Sequence, residues 1–137
     1  MRRATAVRSL LAALAATLAL PAQAEEEIEL PSGHTVTFHD VVWGEPGAAG
    51  LTVRFRFLDP DLPTRTNEEG MIIVTDDTAF LCESFALDRI ANGGPRPKQI
   101  VISISDRPVE FGEPNPEATQ VFEAYSYSDG TCIWDFF

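Results

Sequence analysis

The chain contains two cysteines, Cys82 and Cys132. Two cysteines allow a single intramolecular pairing. A bond between them closes a loop of about fifty residues, which loop-closure entropy makes worth roughly 4 kcal/mol when the native geometry is unstrained. Any fold that uses the bond must bring these two positions together. The rival reading makes one of them a reactive thiol. No Cys-x-x-Cys pair and no neighbouring histidine supports that chemistry.

Whether the bond forms depends on the compartment. Arg2, Arg3 and Arg8 precede an apolar run, Leu10 to Leu20, interrupted only by Thr17. Pro21 breaks any helix there, and Ala22-Gln23-Ala24 has the small-x-small pattern of a leader-peptidase site. Residues 1–24 therefore read as a signal peptide cleaved after Ala24. Its apolar run of about eleven residues is short of the roughly 20 that a spanning helix needs. No later segment is apolar enough to span. Arg2-Arg3 lacks the flanking residues of a twin-arginine signal, and no cysteine follows the cleavage site to carry a lipid. The expected location is the periplasm or the medium, where a disulfide persists.

Residues 25–137 are then expected to form a single domain of ordinary size. Cleavage removes three of the ten Lys and Arg and none of the 21 Asp and Glu, so the formal charge moves from −11 to −14. Such a balance argues against nucleic acid, which needs a basic face, and against an anionic membrane surface. A basic protein or a cationic ligand is permitted as partner. The plainer account of the charge is solubility.

Strand patterns dominate. Thr35 to Trp43 is rich in β-branched and aromatic residues. Gly44 to Gly50 reads as a turn or short loop. From Leu51 to Phe57 the chain alternates, with Leu51, Val53, Phe55 and Phe57 on one face and Thr52, Arg54 and Arg56 on the other. The two segments should pair as an antiparallel hairpin. Asp59 to Gly70 reads as loop, and Met71 to Val74 as a short strand. A helix is expected from Thr78 to Ala91, capped by Thr75, Asp76 or Asp77 and ended by Asn92-Gly93-Gly94-Pro95. Gln99 to Ser105 alternates as another strand.

Residues 117–124 admit either a short helix or a strand, with a strand over Val121 to Tyr127 preferred. The preference comes from Asp129-Gly130, a pair suited to the positive φ angles of a two-residue hairpin turn. With that turn, Tyr127 faces Cys132 and Tyr125 faces Trp134. One face of the hairpin then carries Tyr125, Tyr127, Cys132, Trp134 and Phe136, and the helix bearing Cys82 is its natural cover. The expected fold is α+β: a small, mainly antiparallel sheet with one principal helix on one face. The order is β-β-(β)-α-β-β-β, with a Cys82–Cys132 staple.

Several stretches carry a family resemblance. They are Leu81-Cys82-Glu83, Gln99 to Ser103, Ser105-Asp106-Arg107-Pro108-Val109, Phe111-Gly112-Glu113, Ala118-Thr119-Gln120, Phe122 to Tyr125 and Asp129-Gly130-x-Cys132-Ile133-Trp134. The chain resembles an uncharacterised family of small exported bacterial proteins, a domain of unknown function. The resemblance covers most of residues 25–137 and is stronger in the second half. It implies export, small size and paired cysteines, and it brings no catalytic residues.

Chemical motifs are sparse. His34 and His39 are the only histidines, and in an extended segment five residues apart they face opposite sides. No metal site and no cofactor are expected from them. There is no Gly-x-Ser-x-Gly elbow, phosphate loop or calcium loop. Arg54 and Arg56 are the sharpest local feature. With His39 on the same face of the paired strand, the three would suit an anionic group, since guanidinium matches carboxylate and phosphate geometry. The plainer reading pairs each arginine with a cross-strand carboxylate. No activity follows from these residues. The leading expectation is a periplasmic binding or protein-interaction module without catalysis. The alternative is a small cell-envelope hydrolase using carboxylates in a cleft between helix and sheet. Oligomeric state is not legible.

Overall fold

Alternation builds the central strands. The computed structural model describes residues 16, 18–19, 25–47, 50–91 and 96–135. The leader reading of residues 1–24 falls almost wholly outside these, as do the helix stop at 92–95 and Phe136. Six strands form one sheet in sequential order: β1 (Glu27–Glu29), β2 (Thr35–Gly47), β3 (Gly50–Leu58), β4 (Gln99–Ser105), β5 (Gln120–Ser128) and β6 (Thr131–Trp134). All neighbouring pairs are antiparallel except β3 with β4. A helical crossover between β3 and β4 makes that pair parallel, because parallel neighbours need a long connection. No helix among the described residues is long and apolar enough to cross a membrane.

The crossover begins with a 3-10 turn (Leu62–Arg65) and continues as α1 (Glu68–Leu81), a π-turn (Cys82–Ala86) and α2 (Leu87–Ile90). The helix thus starts ten residues before the expected Thr78. Met71 to Val74, expected as a strand, lies inside α1, and the cap is Asn67 rather than Thr75, Asp76 or Asp77. The Asn67 side chain accepts a bond from the Gly70 N–H at 2.8 Å, and Glu68 and Glu69 sit in the first turn, where the helix dipole favours acids. Gly70 is required sterically: a Cβ there would lie 2.5 Å from the Arg65 carbonyl oxygen. The third strand before the helix is β1, not 71–74, so the number of strands matches the expected order while one assignment moves.

The π-turn corrects the helix's aim. One residue inserted into a turn rotates all that follows by about 100°. That rotation keeps Ala86 and Ile90 on the buried side with Val74, Leu81, Cys82 and Phe85. These pack on the inward residues of the sheet, Val53, Phe55 and Phe57 from β3 and Ile100, Ile102 and Ile104 from β4. Phe85 is the hub, with ring centroids 4.9 Å from Phe38, 5.2 Å from Phe57 and 6.2 Å from Phe55. Leu51, expected on this face, is 47% exposed because β3 overshoots the helix there.

The terminal hairpin has the expected register, with Tyr127 opposite Cys132 and Tyr125 opposite Trp134. Asp129 and Gly130 take φ of 49° and 76°. Tyr125 is buried and shares a 2.8 Å bond with the Thr78 hydroxyl of α1. Cys82 and Cys132 are bonded, their Cα atoms 6.3 Å apart. The staple therefore joins helix to terminal hairpin. Trp134 lies beyond the helix's cover and is 44% exposed, its indole N–H bonded to Glu123. Residues 117–119 are irregular and Gln120 already belongs to β5, so the short-helix reading of 117–124 does not hold. The turn expected over Gly44 to Gly50 is tighter: pairing continues to Gly47 opposite Gly50.

Candidate functional site

The sheet face turned away from the helix carries the polar half of each alternation. Cross-strand register sets Asp40, Arg56, Ser103 and Phe122 in one row across β2, β3, β4 and β5. Four strands at about 4.8 Å spacing make that row roughly 14 Å wide. Arg54 lies on the next row, opposite Val42 and Val101. Over this face runs the loop of residues 106–119. Its base is closed by Asp106, whose backbone N–H donates to the Thr119 carbonyl at 3.0 Å and whose carboxylate accepts from the Thr119 N–H at 2.9 Å. Arg107 and the Thr119 N–H hold the Asp106 carboxyl below its ordinary pKa.

A turn from Glu110 to Glu113 presents Phe111, with Gly112 at φ +81° in a conformation that favours glycine. Phe111 and Phe122 enclose the Arg54 guanidinium, which lies 5.6 Å from one ring centroid and 5.5 Å from the other. Both rings also face solvent, at 42% and 59% exposure. Arg56 has a different task. It donates through Nε and Nη2 to both Asp40 oxygens and through Nη1 to the Val109 carbonyl, each at 2.6 Å. The bidentate bond lowers the Asp40 pKa and raises that of Arg56. A carboxyl kept ionised in this way is a poor proton donor.

His39 is the extra residue of a bulge, since Phe38 pairs with Phe57 and Asp40 already with Arg56. The bulge re-aims its side chain, leaving Nε2 3.8 Å from the Asp40 carboxylate. His39, Asp40, Arg56 and Glu110 line an open depression of about 310 Å³. Arg54, Arg56, Ser103, Phe111 and Phe122 line a neighbouring one of about 270 Å³. The structure thus brings His39, Arg54 and Arg56 to one face, in two hollows that share Arg56. No group of three or more His, Cys, Asp or Glu suited to a metal occurs among the described residues.

A buried ionic cluster was not legible from the sequence. Arg65 is 4% exposed and bonds Asp59 and Asp77, the latter at 2.9 Å. Asp77 also accepts from the Ser32 hydroxyl at 2.7 Å. The cluster ties the turn before β2 to the start of the helical crossover. Its members come from positions 32, 59, 65 and 77, with no spacing that announces them. Asp59 and Asp77 are the two most buried carboxylates, and both are engaged by Arg65 rather than facing a cleft.

Comparison with known proteins adds a family and no activity. No curated protein and no solved structure matches the chain. A family model described as a family of unknown function, DUF6497, matches residues 11–137. With nearly the whole chain covered, the protein belongs to that family.

Proposed function

We propose that the chain is a small exported protein-interaction module that works without catalysis, with its contact surface on the outer face of the sheet. One observation carries the reading: Arg54 is clamped between two phenyl rings that are themselves open to solvent. Aromatic residues and arginine dominate the energetic centres of protein interfaces, and an exposed pair of large apolar rings is otherwise costly on a surface. A partner would seat an apolar side chain against Phe111 and Phe122. Arg54 would supply a directed donor, while Arg56 and His39 shape the floor of the adjoining hollow.

The partner is basic overall in this reading. Arg56, Arg65, Arg89 and Arg107 each pair with a carboxylate inside the protein, so much of the cationic charge is internally neutralised while carboxylates remain in excess. Glu110 and Glu113 flank the aromatic clamp and are exposed. On this outer face nothing favours a hydrolase, because Asp40 is held ionised by Arg56 and cannot serve as the proton donor, and both hollows there are open.

A photo-crosslinking phenylalanine analogue placed at Phe122 tests the proposal in the cell envelope. One discrete, salt-sensitive adduct is expected, lost when Arg54 is changed to Ala. No adduct, or an unchanged adduct in Arg54→Ala, would sink the reading. Export is tested separately, by an intact mass that begins at Glu25.

A further inference from the structure

The outward side of α1 is not what a solvated helix face should be. Glu69, Ile72, Ile73, Asp76, Phe80 and Glu83 are all exposed. At about 100° per residue they fall within one arc of roughly 120°. The opposite arc, with Val74, Asp77, Thr78 and Leu81, is buried on the sheet. Ile72 is 66% exposed and Ile73 41%. The helix is therefore apolar on two sides, and among the described residues only one of them has a covering element.

Charge says what fits the second side. Every charged residue in this arc is an acid: Glu69, Asp76 and Glu83, together with Glu68 just outside it. Arg89, the one cation between Glu68 and Ile90, pairs with Glu26 and lies over the Phe85 ring, away from the arc. A second copy of the chain would meet this face with the same acids, and like charges directly opposed are unfavourable. Ile72 and Phe80 are eight residues apart, or about 12 Å along the axis. That is close to the reach from the first to the last anchor of an i, i+3, i+4, i+7 set on an amphipathic helix lying in a groove or along another helix.

We infer that the outward face of α1 docks a basic amphipathic segment, whose apolar side chains cover Ile72, Ile73 and Phe80 while its Lys or Arg side chains meet Glu69, Asp76 and Glu83. This surface lies on the opposite side of the sheet from the Arg54 clamp, and it stands or falls independently of the function proposed there.

The probe is a labelled Leu/Lys peptide of about 18 residues with helical amphipathic spacing, compared with a scrambled peptide of the same composition. Anisotropy is measured with the full-length protein at low and high salt. The ordered peptide should bind at least about tenfold more tightly than the scrambled one. Ile72→Ser with Phe80→Ser, and separately Asp76→Lys, should each weaken it at least about tenfold. Both sets of residues are exposed, and circular dichroism confirms that the variants remain folded. Phe111→Ser with Phe122→Ser should leave binding unchanged. Equal binding of ordered and scrambled peptides overturns the inference, as does undiminished binding by the Ile72/Phe80 variant. Loss only in the Phe111/Phe122 variant overturns it too, and moves the peptide to the outer sheet face. Self-association in sedimentation that Ile72→Ser and Phe80→Ser abolish replaces the proposed occupant with a second copy.

Discussion

On the helix side of the sheet, Phe85 fits among Phe38, Phe55 and Phe57, and a disulfide closes the far end. On the outer side, Arg54 sits between Phe111 and Phe122, and a loop is held down by Asp40, Arg56 and the Val109 carbonyl. Both faces use aromatic rings, but to different ends. Inside, rings pack ring on ring and lose their water. Outside, the rings keep part of their water and hold a charge. The comparison teaches how one set of strands presents two different faces: a packed one under the helix and a partly solvated one outside it.

Changes on the two faces should therefore differ in scale. Phe85→Ala removes the hub of the core and should cost about 4 kcal/mol, read as a shift in the urea midpoint with an unchanged slope. Removing the staple with Cys82→Ser and Cys132→Ser should cost up to about 4 kcal/mol through the freed loop. The same loss should appear on adding reductant to the parent and not to the variant. Gly70→Ala drives a methyl into the Arg65 backbone and should cost roughly 2 kcal/mol by overpacking, which a thermal melt would show. Phe122→Ala, on the outer face, should change stability by less than about 1 kcal/mol. A core-sized loss there would break the comparison by making the outer face structural.

The faces should also part in their response to pH. Burial raises the Tyr125 pKa above its ordinary 10.0, outweighing the opposite effect of the hydrogen bond it shares with Thr78. Its contribution is full below the unfolded value and is lost as pH rises through the folded one, so Tyr125→Phe should flatten the alkaline limb of a stability profile. The Asp40 pKa is lowered, chiefly by its bond to Arg56. That contribution is present above the unfolded value and is lost as pH falls through the folded one. Asp40→Asn should thus flatten only the acid limb, and by less, because the pair is partly solvated. Stability profiles of the two variants against the parent would check both.

Much of the sheet was legible. Leu51 to Phe57 and Gln99 to Ser105 alternate, and Asp129-Gly130 fixed the last hairpin well enough to place Cys132 opposite Tyr127. The helix was half legible. Met71-Ile72-Ile73-Val74 reads as a strand because apolar residues point both into the core and out to solvent, which erases the helical period. Asn67 followed by Glu68 and Glu69 was the signal that would have placed the start. At the candidate site, Arg54 and Arg56 stood out by alternation alone. Their division of labour did not, because Phe111, Val109 and Phe122 arrive from a distant loop and strand.

By itself the sequence determined the α+β class, the strands that alternate, the turn at Asp129-Gly130 and the possible cysteine pair, all of which depend on neighbours a few residues away or on a single allowed pairing. Only the tertiary structure decided that β3 and β4 run parallel, that a π-turn keeps Ala86 and Ile90 on the core, and that Asp77 meets Arg65 and Ser32 rather than capping a helix. Those outcomes turn on packing between segments tens of residues apart, and local spacing carries no record of which distant group will fill a given space.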